Sequence, residues 1–295
     1  MVGVAGEPEL VAAPPRLPAL HETWRRLKRN RGSVLGLVIV LLYVAVAFLA
    51  KPLAPYNPVD GDVLARLQAP SVRHLLGTDE LGRDILSRLT YGARISLEIQ
   101  VTAAALAMLI GVVWGLVAGY FGGWVDDLSM RVIDVLLTFP SILLAIAIVA
   151  VVGTGLVNII VAVGIASVPQ FARLVRGVVL DLRTTEFVEA ARAIGETNLS
   201  IMFHYILPGT LAPVIVLTSL RMATVLLAAA GLNFLGLGVQ PPTPEWGAML
   251  SNARDYMFAA PHVTTSPGLA ITLVVIGFNL LGDGMRDALD PRMKD

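Results

Sequence analysis

Cysteine is absent from the sequence, which excludes a disulfide framework, a thiolate zinc site and a thiol nucleophile. Charge is scarce as well: Asp, Glu, Lys and Arg make up 15% of the chain, and 22 basic residues cancel 22 acidic ones. Nothing in that balance points to nucleic acid or to an acidic substrate. Histidine occurs at only four scattered positions, His21, His74, His204 and His262, and neither G-x-S-x-G nor H-E-x-x-H is present. No Ser, Cys or acid is expected to form a catalytic relay with His204. The chain also lacks a G-x-x-x-x-G-K-[ST] loop with which to cradle the phosphates of a nucleotide.

What remains is strongly apolar, 56% hydrophobic with a mean hydropathy of +0.74, too apolar for a water-soluble globule of this length. A spanning helix needs roughly 20 mostly apolar residues. Six stretches qualify, at about 33 to 50, 95 to 121, 132 to 152, 156 to 179, 206 to 234 and 266 to 283. The expected class is therefore an all-α membrane protein. The first stretch follows a long tail and no A-x-A-like site comes after it, so it reads as a retained anchor and not as a signal peptide. Arg16, Arg25, Arg26, Lys28, Arg29 and Arg31 precede it, a basic cluster that predicts cytoplasmic N- and C-termini.

The expected organisation is a tail and interfacial helix over 1–32, a first span over 33–50 and an extracytoplasmic loop over 51–94. A membrane core over 95–285 and a cytoplasmic C-terminus over 286–295 follow. Residues 1–19 read as a disordered tail and His21 to Arg31 as an amphipathic helix at the membrane surface. Pro52, Pro55 and Pro58 exclude a continuing helix after the first span. In LGTDELGRDILSRLTYGARISL (76–97), Thr78 or Asp79 is expected to cap a short helix with Asp79 and Glu80 in its first turn. His74, Asp79, Glu80 and Asp84 are conceivable metal ligands, but their spacing matches no recognised metal motif and two of the acids have a capping role, so no metal site is expected. Gly111, Gly115 and Gly119 recur every four residues and predict a close helix–helix approach. Asp127, Arg131 and Asp134 share a helical face and are expected to neutralise one another. Pro140 should kink the third span.

Between the fourth and fifth spans lies EFVEAARAIGETNLSIMFHYILPG (186–209), far longer than a simple connection requires. Thr184 or Thr185 is expected to cap a helix over Glu186 to Ile194, with Gly195 as its left-handed C-terminal cap. Asn198 is expected to cap a second short helix that ends near Leu207 and Pro208. Ala190, Ala191 and Ala193, flanked by Glu189 and Arg192, form a small-residue surface able to enter a groove on another protein.

Glu189-Ala190-Ala191, then Arg192, Gly195 and Leu207-Pro208, resembles the EAA motif of permease subunits in bacterial ABC importers. The 76–97 segment, AGYFGGWVDDLSMRVIDVLLTFPSILLAI (118–146), GLNFLGLGVQPPTPEWGAML (231–250) and FNLLGDGMRDALDPR (278–292) resemble the dipeptide/oligopeptide/nickel branch, in particular its second, shorter permease of the DppC/OppC type. This resemblance implies a type I ABC importer permease fold in the bacterial inner membrane, with six transmembrane helices and a cytoplasmic coupling helix in segment 184–208. It also implies a second permease subunit, two ABC ATPase subunits that bind ATP and Mg, and an extracytoplasmic substrate-binding protein. The expected cargo is a peptide, with nickel complexes or another small solute as the alternative. An ion-coupled secondary transporter would need midplane ion ligands or half-repeats, and neither is visible.

Two positions depart from the family pattern. Arg221 stands within the fifth span where relatives carry a small residue, and Ala229 stands where relatives often carry Glu. Arg221 lies some 13 residues past Pro208, which at ~1.5 Å per residue places it about 20 Å up the helix. A cation there needs water or an anion. It is read either as a pathway residue for a peptide carboxylate or as the partner of an acid such as Glu98.

Overall fold

A computed structural model describes residues 20–289, so the expected 1–19 tail and the last six residues lie outside the described part. The described chain is almost wholly helical. A first helix, α1 (Leu20–Arg29), turns at Asn30 into α2 (Arg31–Phe48). Asn30 makes the turn: its side-chain oxygen accepts from the backbone N–H of Gly32 at 2.9 Å and of Ser33 at 3.3 Å. The expected stop after the first span is softened, because a single turn, α3 (Ala50–Leu53), contains Pro52 in its first residues, where a missing N–H costs nothing.

The spans continue as α4 (Ile85–Phe121), the pair α5 (Gly123–Thr138) and α6 (Ser141–Val152), then α7 (Leu156–Leu182). The cytoplasm-predicted segment forms α8 (Glu186–Ala193) and α9 (Asn198–Ser200). A π-helical turn, Ile201–Ile206, joins α9 to α10 (Leu207–Phe234). A short α11 (Trp246–Ala253) precedes the last span, α12 (His262–Leu289). Five of these helices are long and apolar enough to cross a membrane, and the α5–α6 pair, bent by 94°, makes a sixth if counted as one broken span. Pro140 thus breaks the span outright. It forces Phe139 into an extended conformation (φ −89°, ψ 135°) that no helix can accommodate.

Two close crossings hold the bundle. The Gly111/Gly115/Gly119 stripe of α4 lies against α7: a Cβ on Gly119 would stand 2.8 Å from Val179, and one on Gly115 2.9 Å from Val175. Gly36 of α2 meets α12 in the same way, with a Cβ falling 2.6 Å from the amide of Leu281. Such approaches let backbones pack where lipid offers no hydrophobic driving force.

The expected neutralisation along α5 is corrected. Asp126 is bound by Arg176 of α7 at 2.9 and 2.5 Å, and Asp134 is bound by Arg173 of α7. The counter-charges come from the neighbouring helix, which ties α5 to α7.

Candidate functional site

The 51–84 segment owes its order to charge. Asp84, not Thr78 or Asp79, caps the following helix, accepting from Ser87 N–H at 2.8 Å and Ser87 Oγ at 2.7 Å, so that α4 begins ten residues before the expected span. Asp79 instead accepts from the backbone of Leu81 and Arg83 at 2.9 Å and is paired with Arg83 (2.7 Å) and Arg88 (3.2 Å). Glu80 is paired with Arg83 at 2.8 Å, and His74 Nδ1 lies 3.0 Å from Asp84. Arginines thus occupy Asp79 and Glu80, and Ser87 and His74 occupy Asp84; among the described residues no group of three or more His, Cys, Asp or Glu is placed to hold a metal ion.

Further on, Asn233 fixes the loop between α10 and α11: its side chain donates to the Ala229 carbonyl at 3.0 Å and accepts from Val239 N–H at 2.6 Å. Glu245 caps α11, accepting from Ala248 N–H at 2.9 Å and Ser96 Oγ at 3.2 Å, and it is fully buried. Burial pushes its carboxyl above the ordinary range, and the hydrogen bonds from Ala248, Gly247, Ser96 and Trp246 only partly oppose this.

The EAA segment forms a compact elbow. Thr185 occupies the cap position of α8, but its hydroxyl donates backward to the Leu182 carbonyl at 2.6 Å, leaving the first turn without a side-chain cap. Gly195 ends the helix in the left-handed region (φ +86°), and the amide of Glu196 returns to the Ala191 carbonyl at 3.1 Å. Thr197, not Asn198, caps the next turn by accepting from Ser200 N–H at 3.2 Å. Asn198 is engaged elsewhere, accepting from the Tyr120 hydroxyl of α4 at 2.8 Å. The second helix does not end at Leu207-Pro208. It runs through both into the span, giving one continuous rod from Asn198 to Phe234.

The three alanines divide by face. Val188 and Ala191 are buried in an apolar cluster with Leu116, Tyr120, Val179, Ile201 and Met202. Glu189, Ala190, Ala193 and Ile194 face outward, with Ile194 76% exposed, and Leu199 and Phe203 of the following segment are exposed as well. Arg192 is exposed yet swings back over the Tyr120 ring at 5.6 Å. Arg183 donates to the Gly119 carbonyl at 2.9 Å. The elbow is therefore clamped to the ends of α4, α7 and α10 while offering a small-residue surface beyond them. Contrary to the expectation that no Ser approaches His204, Ser200 Oγ lies one turn away at 3.4 Å, but His204 Nδ1 is nearer the Ser200 carbonyl, at 3.2 Å.

Arg221 sits half-buried in the middle of α10 and has no acidic partner among the described residues. Glu98 does not meet it. Helical phase turns Glu98 to the outside of α4, beside Arg94. The arrangement is an anchored elbow with an outward small-residue face on one side and a lone cation within a long apolar helix on the other.

Comparison with known proteins adds to this geometry. Residues 111–295 match the model of the family described as "Binding-protein-dependent transport system inner membrane component", and residues 19–70 match the "N-terminal TM domain of oligopeptide transport permease C". The chain is 48% identical over 274 residues to a dipeptide transport system permease protein of Alkalihalophilus pseudofirmus, covering 93% of this chain and 90% of that one. Glutathione transport system permease proteins of Pectobacterium atrosepticum and of Escherichia coli are 50% and 52% identical, each covering 93% of this chain and 91% of theirs. Among solved structures, an inward-facing MetNI methionine ABC transporter chain superposes with a TM-score of 0.57 at 19% identity, over 69% of this chain and 97% of that one. That likeness establishes a shared type I importer fold.

Proposed function

The chain belongs to the family of binding-protein-dependent transport system inner membrane components, and from its geometry we propose how this multi-pass ABC importer permease subunit does its work. It forms the membrane pathway for short peptides together with a second permease subunit. Two ABC ATPase subunits, which bind ATP and Mg, drive it, and an extracytoplasmic substrate-binding protein delivers the cargo. The chain itself carries out no chemistry and serves as a translocation subunit. The basic cluster Arg25, Arg26, Lys28, Arg29 and Arg31 orients it in the inner membrane with both termini, and hence α8, in the cytoplasm.

Glu189, Ala190, Ala191, Arg192, Gly195, Leu207 and Pro208 form the coupling device, each with a separate task. Ala190 and its neighbours enter the ATPase groove, Ala191 roots the helix in the bundle, and Arg192 is held by Tyr120. Gly195 makes the corner, and Leu207-Pro208 carry the rod into α10. Closure of the ATPases displaces α8, and its anchorage moves the ends of α4, α7 and α10 together. Arg221 serves the pathway. The cargoes named for the dipeptide and glutathione relatives carry free carboxylates, and a half-buried, unpaired guanidinium attracts such a group at low dielectric.

The observation that carries this reading is the division of α8 into a rooted face (Val188, Ala191) and an outward small-residue face (Ala190, Ala193). With no native cysteine, Ala190→Cys places a single thiol on that face. In the assembled importer it should form a crosslink to a cysteine in the ATPase groove that depends on nucleotide state. Absence of any ATPase adduct from the intact complex removes the coupling role.

A further inference from the structure

A groove of about 360 Å³ lies between α2 and α4, lined by Ala47, Phe48, Arg94, Leu97, Glu98 and Val101, with Thr102 at its edge. Its depth follows from helix length. Phe48 ends α2, 17 residues after Arg31, or about 26 Å along the axis at ~1.5 Å per residue. On α4, Val101 stands 20 residues from Phe121, or about 30 Å, which is the thickness of a hydrocarbon core. The apolar wall therefore lies at the edge of the hydrocarbon, at the end of α2 remote from its basic residues. Arg94 and Glu98 stand just beyond it, at headgroup level.

The two charges are one helical turn apart, yet both are exposed and form no ion pair with each other or with any other described residue. Below them, Phe48 is 80% and Val101 46% exposed, and α2 continues the apolar surface through Val38, Leu41 and Leu42. We propose that this groove is a binding site for a zwitterionic phospholipid whose headgroup bears a primary ammonium. The guanidinium of Arg94 takes the phosphate through charge-assisted hydrogen bonds. The carboxylate of Glu98 takes the ammonium, a two-carbon linker away, and an acyl chain runs down Phe48, Leu97 and Val101. Both charges are then satisfied by one molecule, and the lipid joins the first span to the bundle. An anionic lipid without an ammonium would leave Glu98 facing like charge.

The test uses the full-length chain assembled with its partner subunits in nanodiscs of equal phosphatidylethanolamine and phosphatidylglycerol, with retained lipid read by native mass spectrometry. Wild type should retain phosphatidylethanolamine preferentially. Glu98→Lys, which makes the site doubly cationic, should shift the preference toward phosphatidylglycerol by about tenfold, the scale of one charge-assisted contact. An unchanged lipid ratio in an assembled Glu98→Lys importer overturns the proposal. A photoreactive residue at Leu97 in an otherwise native chain guards against a variant that fails to assemble. A lipid adduct supports the site, and an adduct only to the second permease overturns it.

Discussion

At the scale of single residues, a half-buried cation and a fully buried carboxyl answer to different physics. Arg221 is a cation without a described counter-ion in a span, and such a group is kept when something passing or neighbouring needs it. Arg221→Ala in the reconstituted importer should slow peptide uptake on the order of tenfold, the worth of one charge-assisted contact. ATPase stimulation by the binding protein should persist, and Arg221→Lys should recover part of the rate. Unchanged uptake across peptides removes the pathway role. Glu245 behaves oppositely, because its acid form is the stable one when buried. The folded chain holds a proton there that the unfolded chain releases, so stability is greatest below the ordinary carboxylate range and falls as pH rises toward the elevated value. Thermal unfolding of the purified chain should show Tm decreasing as pH rises above the ordinary carboxylate range. Glu245→Gln should flatten that dependence, whereas Glu245→Ala should lower Tm at every pH by losing the cap, about 1 kcal/mol.

At the scale of elements, the sequence was legible where a period or a spacing carried the signal. The four-residue glycine repeat marked the α4–α7 crossing, Pro140 the broken span, and Gly195 the corner of the elbow. It was misleading where several residues of one type competed for one task. Thr78, Asp79 and Asp84 are all capping residue types; Thr78 is taken by Gln68 and Ala65 and Asp79 by Arg83 and Arg88, which leaves Asp84 as the cap. Pro208 read as a stop, yet in the first turn of α10 its missing N–H is no loss, and the π-helical turn before it carries the chain through. The pairing of α5 with Arg173 and Arg176 was invisible because it joins residues far apart in sequence. Two glycines turn the packing claim into a comparison. A Cβ on Gly115 of α4 meets Val175 and the α7 backbone, while one on Gly177 of α7 meets nothing within 4 Å. Gly115→Leu should abolish recovery of a monodisperse chain by size-exclusion chromatography. Gly177→Ala should leave it intact or stabilise it by up to about 1 kcal/mol through helix propensity.

At the scale of the whole molecule, everything assigned to α8 depends on which side of the membrane it occupies. The helices alternate so that α8, the start of α2 and the end of α12 share one side: Asn30 donates to Asp287 across the α2–α12 pair at 3.4 Å, and α8 lies between the end of α7 and the rod into α10. The 51–84 loop lies on the other. The basic cluster assigns the first side to the cytoplasm, and the absence of cysteine makes that assignment directly measurable, since any introduced thiol is the only one. Val72 is 97% exposed on the loop and Ile194 76% exposed at the tip of the elbow. In intact spheroplasts a membrane-impermeant maleimide should label Val72→Cys at once and Ile194→Cys only after permeabilisation. The reverse pattern would turn the bundle over, place Ala190 beyond reach of any ATPase and end the coupling reading. It would leave the fold, the α4–α7 crossing and the phospholipid groove untouched, because those rest on helix lengths and contacts that are the same from either side.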